Sequence, residues 1–161
     1  MRRAPQELRT FFVSSATYER QAVFQSHPLC DLLLDVLREN RSKGRFQLHE
    51  FVFMRDHIHL ILTPAPNVSL EKAVQFIKGG FSFRAKKEMN LHGEIWQAGY
   101  DQHRIQDAQA YAKHVEYIWL NPVKAGLVER PEDFLYSSAR LRADVAPPPA
   151  FARKAHRAAS R

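Results

Sequence analysis

The chain has one cysteine, Cys30, among its 161 residues. A single thiol excludes an internal disulfide and any zinc centre built from several cysteines. Cys30 lies in an apolar stretch with helical spacing, so we interpret it as a small buried hydrophobic residue. No apolar run approaches the ~18 residues that a membrane span needs, and no long apolar segment follows Met1 as in a signal peptide. We therefore expect a cytoplasmic protein with no membrane partner.

Acidic residues are in the minority, with 17 Asp and Glu against 24 Lys and Arg. This excess of positive charge favours an anionic partner, nucleic acid before a membrane surface. The hydrophobic share of 45% and charged share of 25% are ordinary for one globular domain with its own core. There are no internal repeats. Residues 143–161, rich in Ala, Pro and Arg, predict a flexible basic tail after a domain at 1–142.

Apolar periodicity and helix breakers predict the order strand, helix, strand, strand, helix, strand, helix. We place strands at 8–14, 46–54, 57–63 and within 96–106, and helices at 28–40, from 70 after a Ser69 cap, and from an Asp107 cap to about Leu120. Ser26 or His27 is expected to cap the first helix. Gly79-Gly80 is expected to interrupt the second helix, and Pro122 to end the third.

This order matches the split β-α-β, ferredoxin-like arrangement of the α+β class. It predicts a central antiparallel sheet with helices on one face, plus a C-terminal helix that carries Tyr117. In this topology the first and third strands are neighbours at the centre of the sheet. On the second strand, the alternation predicts a shared face for Phe46, Leu48, Val52 and Met54.

His57 and His59 stand two residues apart within the apolar third strand. Strand alternation puts both rings on one face, with Ile58 and Leu60 on the other. Two adjacent imidazoles are costly to bury but well placed to hold one cation. The strand pattern alone leaves open whether they form a metal-binding or catalytic pair or simply lie on an exposed face of the sheet.

A second group of polar residues lies on the last helix. His114, Tyr117 and Asn121 occur at i, i+3 and i+7, so they share one helix face. The opposite face offers Val115, Ile118 and Trp119 for packing. The alternative interpretation is structural, with Tyr117 anchoring the helix and Asn121 capping its end.

Together these motifs resemble the single-tyrosine HUH nucleases of the IS200-like transposase family, and in particular the REP-associated tyrosine transposases. The resemblance covers about residues 8–140 and depends on four ordered blocks. They are the histidine pair with its flanks at 56–60, the segment 76–82, the segment 93–100, and the segment 117–128 with its continuation at 131–138. Relatives usually carry proline where this chain has Arg55, which alters a turn but not the histidines.

The resemblance implies a mechanism. His57, His59 and the Asn121 amide oxygen would hold a divalent metal, and imidazole with amide oxygen suits Mg²⁺ or Mn²⁺. Tyr117 would attack the scissile phosphate, leaving a 5′-phosphotyrosine link and a free 3′-OH. A phenol with a pKa of about 10 needs a base. A metal-bound hydroxide and His114 are both candidates for that base. His49 and His103 lie outside the motif and are expected not to be ligands.

The partner implied by the resemblance is single-stranded or hairpin DNA formed by palindromic repeats, bound by a monomer rather than a dimer. We expect the DNA backbone to pass near basic and glycine residues of the second helix region, which are Lys72, Lys78, Gly79, Gly80, Arg84, Lys86 and Lys87. One or two aromatic residues are expected to stack on bases, and the others to be core. The candidates are Phe81, Phe83, Trp96 and Tyr100.

Three functions remain open at this point. The first is a DNA-cleaving strand transferase with Tyr117 as nucleophile. The second is a catalytically silent hairpin-DNA-binding protein derived from such an enzyme. The third is an unrelated metal-dependent hydrolase that activates water. Presence of His57, His59, Tyr117 and Asn121 together favours the first.

Overall fold

The computed structural model describes residues 8–153. Four strands and three helices form the domain, in the chain order β1 Thr10–Ala16, α1 His27–Ser42, β2 Phe46–Met54, β3 His57–Pro64, α2 Leu70–Met89, β4 Asp101–Ile105 and α3 Ala108–Lys124. Within this part of the chain, no helix is both long and apolar enough to cross a bilayer. The sequence placed all seven elements correctly in order and close to their observed bounds.

The sheet is antiparallel throughout, with the strand order β2-β3-β1-β4. The first and third strands are therefore the central pair, as the ferredoxin-like topology predicts. In their register His59 faces Ser14, and His57 faces Ala16. Because β3 is central, the histidine pair has a strand on each side and a fixed position on the sheet.

The two faces of the sheet carry different layers. The larger core lies between the sheet and α1 with α2, and it contains buried residues such as Phe51, Phe53 and Ile58. A smaller core on the opposite face packs α3 against the sheet through Tyr111 and Ile118. The prediction of helices on one face is thus confirmed for α1 and α2, while α3 covers part of the other face.

Side chains cap the three helices as expected. The Ser26 hydroxyl accepts the Leu29 N–H, and the Ser69 hydroxyl accepts the Lys72 N–H. The Asp107 carboxylate likewise accepts from the third residue of α3. Each cap satisfies a backbone donor that has no partner within the helix. Caps of this kind made the starts of the helices predictable.

The predicted interruption of α2 at Gly79-Gly80 is wrong, because the helix runs unbroken from Leu70 to Met89. A Cβ atom on Gly80 would lie 3.3 Å from Val36 Cγ1 of α1. Gly80 therefore allows α1 and α2 to pack closely. A Cβ on Gly79 would meet no atom within 4 Å.

We expect Gly79→Ala to raise the free energy of unfolding by about 0.5–1 kcal/mol, because alanine is the better helix former and the site has room for its methyl group. Gly80→Ala should raise the free energy of unfolding by less, or lower it, because the new alanine Cβ would press on Val36. Urea unfolding of both variants checks this pair. A destabilised Gly79→Ala protein would contradict the expectation.

Pro122 does not end α3, contrary to prediction, since the helix continues to Lys124. Proline removes one donor and leaves the rest of the final turn able to form. In that turn the Ala125 N–H donates a hydrogen bond to the Asn121 carbonyl, and the Leu127 N–H donates to the Pro122 carbonyl. Asn121 therefore sits within the helix and does not cap its end.

β2 contains a bulge between Leu48 and Glu50, where its register with β3 shifts. His49 lies between them and is fully buried. Its Nδ1 donates to the Pro147 carbonyl over 2.7 Å, and its Nε2 lies 2.8 Å from Thr63 Oγ1. Burial lowers the pKa of His49 to about 4, so the ring is neutral at pH 7.

The bulge overturns one predicted side-chain pattern. Phe46 and Leu48 point into the larger core with α1 and α2, whereas Val52 and Met54 belong to the smaller core on the α3 side. A shared face for these four residues is wrong because one extra residue reverses the alternation after it.

The predicted tail differs from the structure over residues 143–153. The Ala146 N–H donates to the Leu48 carbonyl over 2.7 Å, and Ala152 is buried against the smaller core. Arg38 also forms a paired contact with Asp144. This stretch is therefore packed, because its apolar residues and backbone find partners on the domain. The remainder of the predicted tail, 154–161, lies outside the described residues.

The prediction for Cys30 is confirmed, since the residue is fully buried in the larger core. Its Sγ lies 3.2 Å from the Phe24 carbonyl oxygen. Burial, with a smaller effect of Asp31, raises the pKa of this thiol to about 12. Cys30 is thus a packed thiol with little thiolate character.

Candidate functional site

His57 and His59 line an open cavity of about 680 Å³ between the sheet and α3. Their ring centroids lie 4.8 Å apart in an edge-to-face arrangement. Both rings are on the sheet face that α3 covers, as the alternation of β3 predicts. The cavity walls come from β1, β3, β4 and α3, so four elements converge on the histidine pair.

His59 is held through one ring nitrogen, and its other ring nitrogen has no partner among the described residues. Its Nδ1 lies 2.6 Å from Ser14 Oγ on the neighbouring strand, and its ring stacks on Phe12 with centroids 5.4 Å apart. The Nε2 atom is buried and has no hydrogen-bond partner. Burial, aided by His57, lowers the pKa of His59 to about 4. The ring is therefore neutral at pH 7, the form that binds metal ions.

His57 has a comparable arrangement. Its Nδ1 lies 2.8 Å from the Asp56 carboxylate, which in turn lies 3.7 Å from the Arg20 guanidinium. A carboxylate or hydroxyl on one ring nitrogen fixes the orientation of a histidine and directs its other nitrogen to a ligand. Asp56 and Ser14 hold the two rings in this way.

Tyr117 reaches the same cavity from α3. Its ring lies edge-on to His59 and to Phe12, at centroid distances of 5.3 Å and 5.8 Å. The side chain is 47% exposed. The structure therefore brings Tyr117 together with His57 and His59, three of the four residues predicted for the site.

His114 lies one turn before Tyr117 and also lines the cavity. Its Nδ1 donates to the Ala110 carbonyl over 2.7 Å, so Nε2 is the nitrogen left to accept a proton. Its ring packs on Phe12 at 4.8 Å. The opposite face of α3 packs as predicted, with Ile118 buried and the Trp119 indole donating to Glu50.

Asn121 follows one turn after Tyr117 on α3 and is half-buried. It is not among the residues that line the cavity. Its role as a third metal ligand stays a prediction. Within residues 8–153, no group of three His, Cys, Asp or Glu side chains forms a metal centre.

Sequence similarity identifies the family. The sequence model of the family described as Transposase IS200 like matches residues 8–120. The chain belongs to the IS200-like transposase family. The match spans all four strands and most of α3, so it includes both histidines and Tyr117.

Related proteins support the same assignment. A Haemophilus influenzae protein whose name places it among the REP-associated tyrosine transposases is 30% identical over 123 residues, which are 66% of this chain and 70% of the relative. The REP-associated tyrosine transposase of Escherichia coli is 30% identical over 94 residues, 58% of this chain and 54% of the relative.

A solved structure of a REP-associated tyrosine transposase bound to a REP hairpin has a similar fold. Its TM-score is 0.72 at 24% sequence identity, and the alignment covers 91% of this chain and 87% of the other. The similarity shows that this IS200-like transposase shares the fold of that protein.

Other residues proposed to contact DNA lie on the far side of the sheet. Lys78, Arg84, Lys86 and Lys87 belong to α2, which packs on the face opposite the histidine pair. The Lys78 ammonium donates to the carbonyls of Gln97 and Gly99, over 3.2 Å and 2.7 Å. DNA binding by this helix in the IS200-like protein stays a prediction, and it would involve a surface separate from the cavity.

The aromatic candidates divide between core and surface. Phe81 and Trp96 are buried in the larger core, as expected for most of this set. Tyr100 is partly buried against the same core, and Phe83 is exposed. Phe83 is thus the one of these four whose side chain is exposed, with the Lys87 ammonium 5.7 Å from its ring centroid.

The sequence missed several residues of the cavity. Ser14, Asp101 and His103 line it beside the predicted residues, and His103 stands 6.4 Å from His114 between ring centroids. Ser14 faces His59 across the β1–β3 pairing. A correct register for that pair would have found it. His49 lies outside the cavity.

Proposed function

We propose that this protein cleaves and rejoins single-stranded hairpin DNA, with Tyr117 as the nucleophile. The observation that carries the proposal is the meeting of Tyr117 with His59 and His57 in one open cavity. The similar proteins of Haemophilus influenzae and Escherichia coli are named as tyrosine transposases, which agrees with a tyrosine nucleophile. A half-exposed phenol beside two imidazole rings suits phosphoryl chemistry better than a passive binding face.

The residues present fit a divalent metal. His59 Nε2 is buried without a partner, which is costly unless something binds it. His57 and His59 would hold Mg²⁺ or Mn²⁺, with Asn121 proposed as a third ligand. When bound, such an ion polarises the scissile phosphate and stabilises negative charge on its oxygens.

The proposed step is an in-line displacement. The Tyr117 oxygen bonds to phosphorus while the bond to the 3′ oxygen breaks. The phenol proton leaves to a base, for which His114 Nε2 is one candidate, and the released 3′ oxygen takes up a proton. The downstream strand stays on the enzyme as a 5′-phosphotyrosine. Attack by another 3′-OH reverses the step and joins strands without an added energy source.

A labelled hairpin DNA tests the proposal. The protein is incubated with Mn²⁺ and a hairpin with single-stranded flanks, labelled at the 5′ or the 3′ end, then denatured in detergent. We expect the 3′ label to remain on the protein and the 5′ label to appear as a shortened free strand. EDTA should prevent both products. Free fragments from both ends would indicate hydrolysis by water. Binding of the hairpin without cleavage would support a silent DNA-binding protein.

A further inference from the structure

A second cavity adjoins the Tyr117 cavity at the end of β1. Its volume is about 570 Å³, and its outer wall is formed by the loop 97–100. The two cavities share Ser14, Ala16, Arg20 and Asp101. They therefore adjoin at these four residues, and the second cavity, beside loop 97–100, is called the flank groove below.

The residue at the junction is held in an unfavourable backbone conformation. Glu19 and Arg20 have φ values of 51° and 56°, in the left-handed region. Each such residue other than glycine costs on the order of 1–2 kcal/mol. The turn is fixed by Thr17, whose hydroxyl donates to the Gln21 carbonyl over 2.7 Å and whose carbonyl accepts the Arg20 N–H. Residues in such conformations are concentrated at active sites and ligand-binding segments, where the surrounding structure holds them.

The visible contact of Arg20 does not account for that strain. Its side chain is 64% exposed, and its guanidinium lies 3.7 Å from the Asp56 carboxylate. An exposed ion pair at this distance contributes at most a fraction of the cost of the turn. The side chain is therefore available to another anion.

Lys113 lines the Tyr117 cavity alone, so the charge at the junction of the two cavities depends on Arg20. Among the described residues, Arg20 is the one arginine or lysine that lines both cavities. Glu19 lines the flank groove and Asp101 lines both cavities, and these carboxylates would repel a phosphate chain. A strand passing through the junction therefore needs a cation at that point. A guanidinium offers two parallel N–H donors that match phosphate oxygens.

We propose that Arg20 binds a backbone phosphate of the single-stranded DNA that leaves the Tyr117 cavity through the flank groove. This inference rests on the proposed function and adds the path of the strand. In the free protein Arg20 pairs with Asp56, and on binding it exchanges that carboxylate for the phosphate. The strained turn holds the guanidinium at the junction before DNA arrives.

Binding assays test the inference without cleavage. All proteins carry Tyr117→Phe, and fluorescence anisotropy compares a hairpin that has a single-stranded flank with the same hairpin that lacks it. Arg20→Ala should weaken binding of the flanked hairpin about tenfold and lower its salt dependence by about one phosphate contact. Binding of the bare hairpin should stay within about twofold. Arg20→Lys keeps the positive charge but lacks the two parallel N–H donors of the guanidinium. Its affinity for the flanked hairpin should lie between those of the Arg20 and Arg20→Ala proteins.

The control is Arg130→Ala, because Arg130 is an exposed arginine away from both cavities and pairs with Asp133. It should affect neither DNA. Equal binding by the Arg20→Ala and Arg130→Ala proteins would overturn the inference, as would an equal loss on both DNAs. If the Tyr117→Phe proteins show the Arg20 effect but the parent protein, with Tyr117 intact, forms no covalent adduct, the cleavage proposal alone is refuted.

Arg20→Gly gives a second readout. Glycine adopts positive φ at little cost, so this variant should unfold at an equal or higher temperature than the parent while binding the flanked hairpin as weakly as Arg20→Ala. A role limited to holding the fold predicts the opposite, lower stability with unchanged binding. The two measurements together separate a phosphate contact from a structural residue.

Discussion

Replacing Tyr117 with phenylalanine is expected to abolish covalent attachment to hairpin DNA, lowering the adduct by at least about 10³-fold to background. The variant lacks only the hydroxyl. Its ring can keep the edge-on contacts with His59 and Phe12. Because the side chain is half-exposed, the free energy of unfolding should change by no more than about 0.5 kcal/mol. Detergent-resistant adducts and urea unfolding measure the two effects.

Tyr18→Phe is the matched control, because Tyr18 is also an exposed tyrosine but does not line the cavity. It should form adduct at the parent rate. Two other tyrosines are poor nucleophiles on structural grounds. Tyr111 is buried in the smaller core, and the Tyr136 hydroxyl donates to Asp31 over 2.7 Å. Adduct that survives in the Tyr117→Phe protein would refute the assignment of the nucleophile.

Removing the Arg142 guanidinium is expected to lower the free energy of unfolding by about 2–4 kcal/mol. Arg142 Nη1 bonds both oxygens of Glu50, over 3.0 Å and 2.9 Å, and the Glu50 side chain is only 4% exposed. Arg142→Met keeps much of the side-chain volume but leaves a buried carboxylate without its countercharge. The Ser138 hydroxyl and the Trp119 indole still donate to Glu50, which limits the loss.

Urea unfolding of single and double variants checks this expectation. Adding Glu50→Leu to Arg142→Met should recover part of the loss, because a buried carboxylate is then replaced by an apolar group. Arg130→Met, in an exposed ion pair, should cost no more than about 1 kcal/mol. An Arg142→Met loss as small as that of the control would show that Glu50 does not need its partner.

This network also bears on the candidate site. Trp119 is on α3 two residues after Tyr117, and its indole binds Glu50 on β2. The Glu50 carboxylate thus ties the tyrosine helix to the sheet. If Arg142→Met weakens the contact between Trp119 and Glu50, both adduct formation and the free energy of unfolding should fall. The Tyr117→Phe protein should lose adduct formation and keep its stability.

Local chemistry explains what the sequence could predict. Strand alternation placed His57 and His59 on one face, and the i, i+3 spacing placed His114 and Tyr117 on one helix face. Caps at Ser69 and Asp107 fixed helix starts. These features depend only on residues close in sequence, so a single chain reveals them.

The errors concern contacts between distant segments. Judged from the local sequence alone, Gly80 disfavours a helix. In the structure it lies against Val36 of α1 and allows α1 and α2 to pack closely. Packing of 143–153 against β2 depends on backbone partners such as the Leu48 carbonyl. The role of Ser14 depends on a strand pairing that places it opposite His59. Tertiary partners of this kind leave no periodic signal in the sequence.

The bulge at His49 makes the length of β2 as important as its composition. Its first half turns Phe46 and Leu48 toward one layer, and its second half turns Val52 and Met54 toward the other. Deleting His49 would remove the register shift, so that the side chains of both halves alternate in the same way. One of the two halves would then present its apolar side chains to the wrong layer. Conservative substitutions along β2 are therefore easier to accommodate than the loss of one residue. The number of residues in this strand decides which of the two layers each of its side chains faces.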